Sequence, residues 1–300
     1  MLCLITGATG EIGSKVVENL LARGLRPRIF VRDFEKARSL FGERVDVFVG
    51  NLADPAALRR AMEEVDSLFL LNSGPEIPAR DEIAAMAAKH AGVEHLVKLS
   101  SLDVQHGLAI GTWHEHGEAA IRALDVPFTF LRPSGFMSNL LAWAQSIKSE
   151  GIVRSSTGDG RRAFIHSGDI AAVAAEVLLS RGHVGESLFL TGPEALSFAE
   201  VTAKISTVIG KPLIFQPISD EEARKQYAAT GAPSAETEAH VALWRAIREG
   251  RLAMVTDTVE TILRRPPVAL EQWIAENAST FVGIAEAGQS ETTPRELVSG

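Results

Sequence analysis

Three glycines near the start of the chain have the spacing of a phosphate-binding loop. In 6-TGATGEIGSKVV-17, Gly7, Gly10 and Gly13 stand between an apolar β-rich run and an amphipathic helical pattern. The first glycine permits a tight turn, the second lets the backbone approach a pyrophosphate, and the third lets the helix pack closely on the strand. The helix N-terminus then presents free N–H groups to the phosphates. The predicted contacts here are Gly7, Thr9, Gly10, Glu11, Ile12 and Gly13.

The end of the second predicted strand selects between NADP and NAD. Arg32 stands there, where an acidic residue would bind the ribose 2′-hydroxyl of NAD. A guanidinium pairs bidentately with a 2′-phosphate, so Arg32, together with Lys36, favours NADPH over NADH. Asp33 leaves an alternative open, because it could accept from a ribose hydroxyl, although we expect it to cap the next helix.

Polar residues follow other predicted strands at the edge of the sheet where open α/β folds bind ligands. Asn51 and Leu52 are expected to flank the adenine, the amide pairing with its edge; the alternative for Asn51 is a structural turn residue. Asn72 and Ser73 are expected to border the nicotinamide ribose. The remaining predicted cofactor contacts are Ser100, Pro133 and Phe136.

The candidate catalytic residues are Ser101 and His114, in and before the stretch 111-GTWHEHGEAAI-121. His114 could donate a hydrogen bond to the nicotinamide ribose, or act as an acid near neutral pH, where imidazole titrates; the alternative is a surface or helix-start histidine. A hydroxyl of Ser100 or Ser101 could hold a substrate carbonyl, or could serve only in a turn. His116 would point to a different helix face, and there is no Cys/His cluster, so no metal site is predicted.

Aromatic and apolar side chains near these residues could form the walls of a pocket for a flat acceptor. Trp113 precedes His114, and Met137 and Trp143 follow the sixth predicted strand with Phe136. The alternative for each is core packing.

The elements that must position these residues alternate between strand and helix through residues 1–131. That alternation predicts an α/β fold with a doubly wound parallel sheet of the Rossmann type. After Arg132 helical patterns dominate, which predicts a smaller, mostly helical C-terminal lobe for the substrate. The predicted strands run from Leu2 to Thr6, Arg28 to Arg32, Val45 to Val49, Ser67 to Leu71, His95 to Ser100 and Phe128 to Leu131.

The predicted domain bounds follow this change of pattern. We expect the dinucleotide-binding domain over residues 1–132, with segments near 152–190 returning to the sheet. The substrate lobe should comprise 133–151 and 191–283. Residues 284–300 lack apolar periodicity, which predicts a mobile tail.

Capping signals mark several helix starts. Asp54 followed by Pro55 places a capping carboxylate before a proline at the first helical position. Ser197 and Ser219 are each followed three residues later by glutamate, which is the pattern of a capping box. Helices should begin at all three places.

Composition excludes several classes of protein. The 300 residues are 46% hydrophobic and 23% charged, with a formal net charge of −8. No apolar run is long enough to cross a membrane, and no basic stripe is present to neutralise nucleic-acid phosphates. The first residues lack the pattern of a signal peptide, so a cytoplasmic protein is expected.

Several segments together resemble the NmrA-like branch of the short-chain dehydrogenase/reductase superfamily. The resemblance covers nearly the whole chain and implies a Rossmann domain, NADPH in the cleft and a small C-terminal substrate lobe. This branch includes quinone and azo reductases, isoflavone-type reductases and catalytically silent redox-sensing regulators. The segments are 6-TGATGEIG-13, 32-RDFEKA-37, 50-GNLADPAAL-58, 97-VKLSS-101, 131-LRPSGFMSNLL-141 and 256-TDTVETILRRPPVALEQWIAEN-277.

The sequence departs from the wider superfamily at its Tyr-x-x-x-Lys pair. Alignment on Glu118 puts Ile110 at the tyrosine position and His114 at the lysine position, and the one tyrosine of the chain is Tyr227. Reduction of an ordinary ketone needs a matched acid, whereas a quinone gives a delocalised anion. We therefore expect an NAD(P)H-dependent reductase of quinone-like, azo or enone acceptors. The alternative is a non-catalytic NADP(H) sensor acting through a protein partner, and a homodimer is also compatible with the sequence.

Overall fold

The computed structural model describes residues 1–282, and the predicted mobile tail, 284–300, lies outside the described residues. The strands are β1 (Cys3–Thr6), β2 (Arg28–Val31), β3 (Asp46–Val49), β4 (Ser67–Leu70), β5 (His95–Leu99), β6 (Phe128–Pro133), β7 (Gly135–Phe136), β8 (Ile152–Ser155), β9 (Arg161–Ile165), β10 (Ser187–Leu190), β11 (Ala195–Ser197) and β12 (Ile214–Pro217). The helices are α1 (Glu11–Ala22), α2 (Phe34–Phe41), α3 (Pro55–Ala61), α4 (Ile77–Ala91), α5 (Ala109–Ala123), α6 (Ala144–Glu150), α7 (Ser167–Leu179), α8 (Phe198–Ile209), α9 (Asp220–Ala228), α10 (Ser234–Arg248), α11 (Thr258–Leu263), α12 (Leu270–Glu276) and α13 (Ala278–Val282). Two 3-10 helices span Leu102–His106 and Met137–Trp143.

Seven parallel strands form the central sheet in the order β10-β6-β5-β4-β1-β2-β3. Successive residues of a strand pack on opposite faces of the sheet. On one face Leu4 and Leu96 pack with α3, α4 and α5; on the other face Ile5 and Val97 pack with α1 and α7. Because the strand order reverses at β1, the loops after β1 and β4 separate and leave a crevice at the carboxyl ends of the strands. The predicted doubly wound α/β fold is confirmed.

Local sequence signals account for the helix starts. The Asp54 carboxylate accepts from two backbone N–H groups at the start of α3, with Pro55 in the first turn. Asp33 caps α2 by accepting from the backbone N–H of Lys36, at 2.9 Å, as expected. Ser197 and Ser219 each form the predicted capping box.

The elements after β6 build a second core beside the sheet. Strands β11, β9 and β7 form a small sheet, and β12 pairs with β8. The buried residues of this core include Ile147, Phe164, Phe198, Ile247 and Trp273. β10 returns to the central sheet beside β6. Within residues 1–282, no helix is both long and apolar enough to cross a membrane.

Candidate active site

The glycine loop joins β1 to α1 as the spacing predicted. Gly7 has φ +63°, a conformation that side chains rarely adopt, and its carbonyl accepts from the N–H of Gly10 at 3.0 Å. A Cβ at Gly13 would lie 2.2 Å from the Gly7 carbonyl oxygen. The third glycine therefore lets α1 begin directly against the turn, with its N-terminus at the crevice.

A cavity of about 360 Å³ beside this loop, here called the basic cavity, is lined by three cationic side chains. Arg32 and Lys36 line it as predicted, and Arg80, on α4, joins them. Arg80 donates to the carbonyl of Ser73 at 3.4 Å. Within residues 1–282 none of the three cations forms an ion pair, so their charges are available to a phosphate.

Asn51 and Leu52 also line the basic cavity. The Oδ1 atom of Asn51 accepts from the backbone N–H of Ala53 at 3.0 Å, which is the turn role left open by the sequence. The NH₂ group of the amide takes no part in this bond and can donate to a ligand.

A second cavity, of about 460 Å³, lies at the carboxyl ends of the central strands and is called the central cavity. The N-terminus of α1 opens into it, beside the ends of β4, β5 and β6. Most residues predicted to meet the cofactor or substrate line it together: Gly10, Glu11, Ile12, Asn72, Ser73, Ser100, Ser101, Trp113, His114, Pro133 and Phe136.

Ser100 does not have a free hydroxyl proton for a substrate carbonyl. Its Oγ donates to the Glu118 carboxylate at 2.6 Å, and both residues are buried. Glu118 also accepts two hydrogen bonds from Arg132, at 2.9 and 2.5 Å. Ser100 therefore helps to satisfy a buried ion pair, and the expectation that it donates to a carbonyl is wrong.

Ser101 takes the turn role that the sequence left open. Its Oγ accepts from the backbone N–H of Asp103 at 3.1 Å and so caps the 3-10 helix Leu102–His106. The hydroxyl proton is not used by that bond, so Ser101 can still donate to a molecule in the central cavity.

His114 lies buried on α5 and lines the central cavity. Burial, reinforced by the positive charge of Lys98, lowers its pKa to about 3. At that pKa the ring is neutral near pH 7, which favours the predicted role of hydrogen-bond donor over the predicted role of acid. A neutral imidazole still carries one N–H and can donate a hydrogen bond.

A buried ion pair stands behind the lining of the central cavity. Lys98, on β5, lies with its Nζ 2.5 Å from Oδ2 of Asp81, on α4, and both side chains are almost fully buried. The other Asp81 oxygen accepts from the Asn72 amide at 2.5 Å. This contact fixes which way the Asn72 amide is turned, so its carbonyl oxygen lies opposite the carboxylate.

Three polar atoms of residues lining the central cavity are buried without a hydrogen-bond partner among residues 1–282. They are Asn72 Oδ1, His114 Nδ1 and Ser134 Oγ. Buried polar atoms are normally paired, so these three indicate a ligand rich in hydroxyl or amide groups. A nicotinamide riboside has such groups, and together with the glycine loop and the three cations the residues fit a dinucleotide.

A third cavity, of about 510 Å³, adjoins the central one and is called the aromatic cavity. Trp143 lines it, as do Phe198, Tyr227, His240 and Trp244. Tyr227 stacks on His240 at 4.1 Å between ring centroids, and its hydroxyl lies 3.1 Å from Nε2 of that ring.

Met137 does not line any of these three cavities. Its side chain is 1% exposed and packs in the second core with Leu140 and Ile147. The expectation that Met137 contacts the substrate is wrong, because the segment starts as a 3-10 helix that turns Met137 inward. Trp113 and Phe136, by contrast, lie on the wall of the central cavity.

Several residues of the site were not predicted from the sequence. Arg162 and His240 line both the central and the aromatic cavity, and Tyr227 lines the latter. None belongs to a short motif: Arg162 lies on β9, and Tyr227 and His240 lie on α9 and α10. Arg80 had a detectable signal, because it lies eight residues after Asn72, in the first turn of the helix that follows the ligand-binding loop.

Comparison with known proteins gives the chain its relatives. The profile of the NmrA-like family matches residues 2–247. A (4-alkanoyl-5-oxo-2,5-dihydrofuran-3-yl)methyl phosphate reductase from Streptomyces griseus is 39% identical over 283 residues, 93% of this chain and 99% of that protein. An NAD(P)H azoreductase from Xenophilus azovorans is 33% identical over 285 residues, 93% of this chain and 99% of that protein. The structure of an NADPH-dependent quinone oxidoreductase from Escherichia coli, complexed with NADPH, superposes with a TM-score of 0.85 at 26% identity and covers 92% of this chain and 99% of that one.

These findings confirm the predictions of an enzyme and of NADPH as its cofactor. They also favour turnover over the alternative of a non-catalytic sensor, because the relatives at 39% and 33% identity are both named as reductases. The chain belongs to the NmrA-like family and is an NAD(P)H-dependent oxidoreductase.

Proposed function

We propose that this protein transfers hydride from NADPH to a conjugated, electron-poor acceptor of the quinone, azo or enone type. The observation that carries the proposal is the lining of the central cavity, where the candidate proton donor His114 is buried and burial lowers its pKa to about 3. Neither a tyrosine nor a lysine lines the central cavity formed by residues 1–282. A site without the tyrosine and lysine of the wider superfamily suits acceptors whose reduced form is a stabilised anion.

When bound, NADPH would supply the hydride for this reduction. An ordinary ketone would become a strongly basic alkoxide, which needs a proton from the enzyme as it forms. A quinone or enone instead spreads the new charge over its conjugated system, so the proton can come later from water. Positioning of the acceptor then supplies most of the rate enhancement.

The proposed roles of the chain follow the three cavities. The glycine loop and the N-terminus of α1 bind the pyrophosphate, and Arg32, Lys36 and Arg80 bind the 2′-phosphate in the basic cavity. Asn72 accepts from the nicotinamide riboside through Oδ1, which has no partner in the described residues. His114 donates its single N–H as a neutral group. The acceptor lies against Phe136 and Trp113.

The named relatives support this class of acceptor. One is an azoreductase, one is a quinone oxidoreductase, and one reduces a dihydrofuranone that carries an additional acyl group. Each acceptor is a conjugated system of low electron density. The aromatic cavity, with Trp143, Phe198 and Trp244 in its walls, offers room for an apolar substituent on such a molecule.

The test is an acceptor panel with purified protein and NADPH, followed by loss of NADPH absorbance. The panel should contain substituted quinones, an azo dye, an acyl butenolide and a cyclic enone, with a saturated ketone of similar size as the matched negative control. Turnover of one or more conjugated acceptors, without turnover of the ketone, is expected. Reduction of the ketone at a comparable rate, or no reduction of any acceptor, would contradict the proposal.

A further inference from the structure

Arg162 is a buried cation at the boundary between two cavities. It lies on β9, its side chain is 10% exposed, and it lines both the central and the aromatic cavity. β9 pairs with β7, which follows directly on β6 at the ligand-binding edge of the central sheet. The Arg162 side chain therefore lies where the central and aromatic cavities adjoin.

The guanidinium of Arg162 is incompletely paired. It carries five N–H donors, yet within residues 1–282 its one hydrogen bond is from Nη2 to Oδ1 of Asp103, at 3.3 Å. Arg132 shows the contrast, because it makes two bonds to Glu118 at 2.9 and 2.5 Å. A strong charge-assisted bond of this kind is about 2.7–2.9 Å long. The remaining donors of Arg162 are thus available to a ligand.

The chain makes room for this guanidinium. A Cβ at Gly135 would lie 2.8 Å from Nε of Arg162, so only a glycine lets the side chain lie across β7 in this position. Apolar side chains line the cavity walls around it, among them Phe164, Phe198 and Leu243. Low polarity strengthens a hydrogen bond from a fixed cation to an oxygen that gains charge.

We infer that Arg162 binds a carbonyl oxygen of the acceptor and stabilises the negative charge that reduction places on that oxygen. This inference rests on the proposed function and extends it, because it supplies the electrostatic help that the missing acid would otherwise give. It also defines the acceptor as a conjugated carbonyl compound, with any apolar substituent placed in the aromatic cavity.

The electrons balance without a proton from Arg162. The hydride supplied by NADPH forms a bond to a conjugated carbon of the acceptor, and one pair of π electrons moves through the conjugated system to the carbonyl oxygen. The oxygen becomes an enolate held by the guanidinium, and water later protonates it, which completes the two-electron reduction. When the acceptor is a quinone, the product then tautomerises to the aromatic hydroquinone, because water takes a proton from the carbon that received the hydride and gives one to the second oxygen.

The first test compares Arg162→Met and Arg162→Lys with wild type on the conjugated carbonyl acceptors. Loss of one preorganised oxyanion donor lowers kcat by about 10²–10³-fold, so a loss of that order is expected for Arg162→Met, with partial retention in Arg162→Lys. Arg161→Gln is the matched control, because Arg161 is exposed on the same strand and pairs with Glu200. It should keep the wild-type rate.

A third variant separates catalysis from structure. Asp103→Asn removes the buried carboxylate but leaves the guanidinium, so it should lose far less activity than Arg162→Met if Arg162 acts on the acceptor. Equal losses in the two variants would show that the ion pair is only structural and would overturn the inference. Unchanged activity in Arg162→Met would also overturn the inference about Arg162, but it would leave the proposed function intact. Absence of turnover by the wild-type protein would refute both the inference and the proposed function.

A binding measurement tests the same contact without turnover. A nitrophenol, whose phenolate resembles the hydroquinone anion, is titrated with pH while bound to the protein and followed by its visible absorbance. The bound phenol should ionise at lower pH on wild type than on Arg162→Met. The same ionisation on both proteins would show that Arg162 does not contact the oxygen.

Discussion

Replacement of His114 by glutamine gives a direct test of its neutral state. The imidazole has a pKa of about 3 in the folded protein, against an ordinary value of 6.5. Below pH 6.5 the unfolded chain therefore binds a proton that the folded chain does not bind. The stability contributed by the neutral ring is complete above pH 6.5 and is lost as the pH falls from 6.5 toward 3, by up to about 1.4 kcal/mol for each pH unit.

The assay is urea unfolding of wild type and His114→Gln at several pH values across that interval. The free energy of unfolding of the variant should fall less steeply with decreasing pH, because glutamine does not titrate. His116→Gln is the matched control, since His116 is exposed on the same helix, and it should keep the wild-type slope. Parallel slopes for wild type and His114→Gln would refute the buried, neutral ring.

The same pKa predicts the behaviour of the enzymatic rate. At pH 7 the His114 ring is therefore neutral. The rate should therefore show no loss of an essential imidazolium between pH 6 and pH 8. His114→Gln, which keeps a neutral N–H donor, should retain more activity than His114→Ala. A rate that falls through pH 6.5 in wild type but not in His114→Gln would mean that His114 is an acid after all.

Three further predictions concern the cofactor site and its support. Gly13→Ala places a Cβ 2.2 Å from the Gly7 oxygen, so the variant should lose about 1–3 kcal/mol of stability and bind NADPH more weakly. The control Gly182→Ala adds a Cβ in open space and should change neither property. Thermal melting measures the stability and calorimetry measures the binding; a Gly13→Ala variant with wild-type values would contradict the close packing. Asp81→Asn leaves Lys98 buried without its partner, so the free energy of unfolding in urea should fall by about 3–5 kcal/mol. Adding Lys98→Met to Asp81→Asn should restore much of that loss. Equal instability of the single and double variants would count against the ion pair. Arg32→Ala should raise the Kd for NADPH about 10–100-fold and leave the Kd for NADH within a few-fold, and equal effects on the two would exclude a contact to the 2′-phosphate.

Local patterns were sufficient to predict the cofactor half of the fold. The glycine loop, the cap at Asp33 and the strand ends depend on residues within about one turn or one strand of each other, so composition and spacing reveal them. The carboxyl edge of a parallel sheet then brings residues such as Asn72 and His114 to one cavity, because every strand ends there.

The substrate half could not be predicted in the same way. Arg162 reaches its position because β9 pairs with β7, a contact between segments about thirty residues apart. Met137 was misplaced because the segment after β7 starts as a 3-10 helix, which changes the face on which each residue lies. The low pKa of His114 depends on its burial and on Lys98, from another element, and no sequence spacing encodes that distance.

The separate origin of the cavity walls has a consequence for how this enzyme can diversify. Helices α9 and α10 pack against each other and, with the turn between them, supply Ala223, Gln226, Thr230 and Leu243 to the aromatic cavity, whereas the glycine loop and the central strands do not line it. Substitutions on this helix pair can change the shape offered to an acceptor without altering the hydride donor or the sheet that holds it. One cofactor platform can thus be retained while selection, natural or in the laboratory, explores new acceptors through two helices.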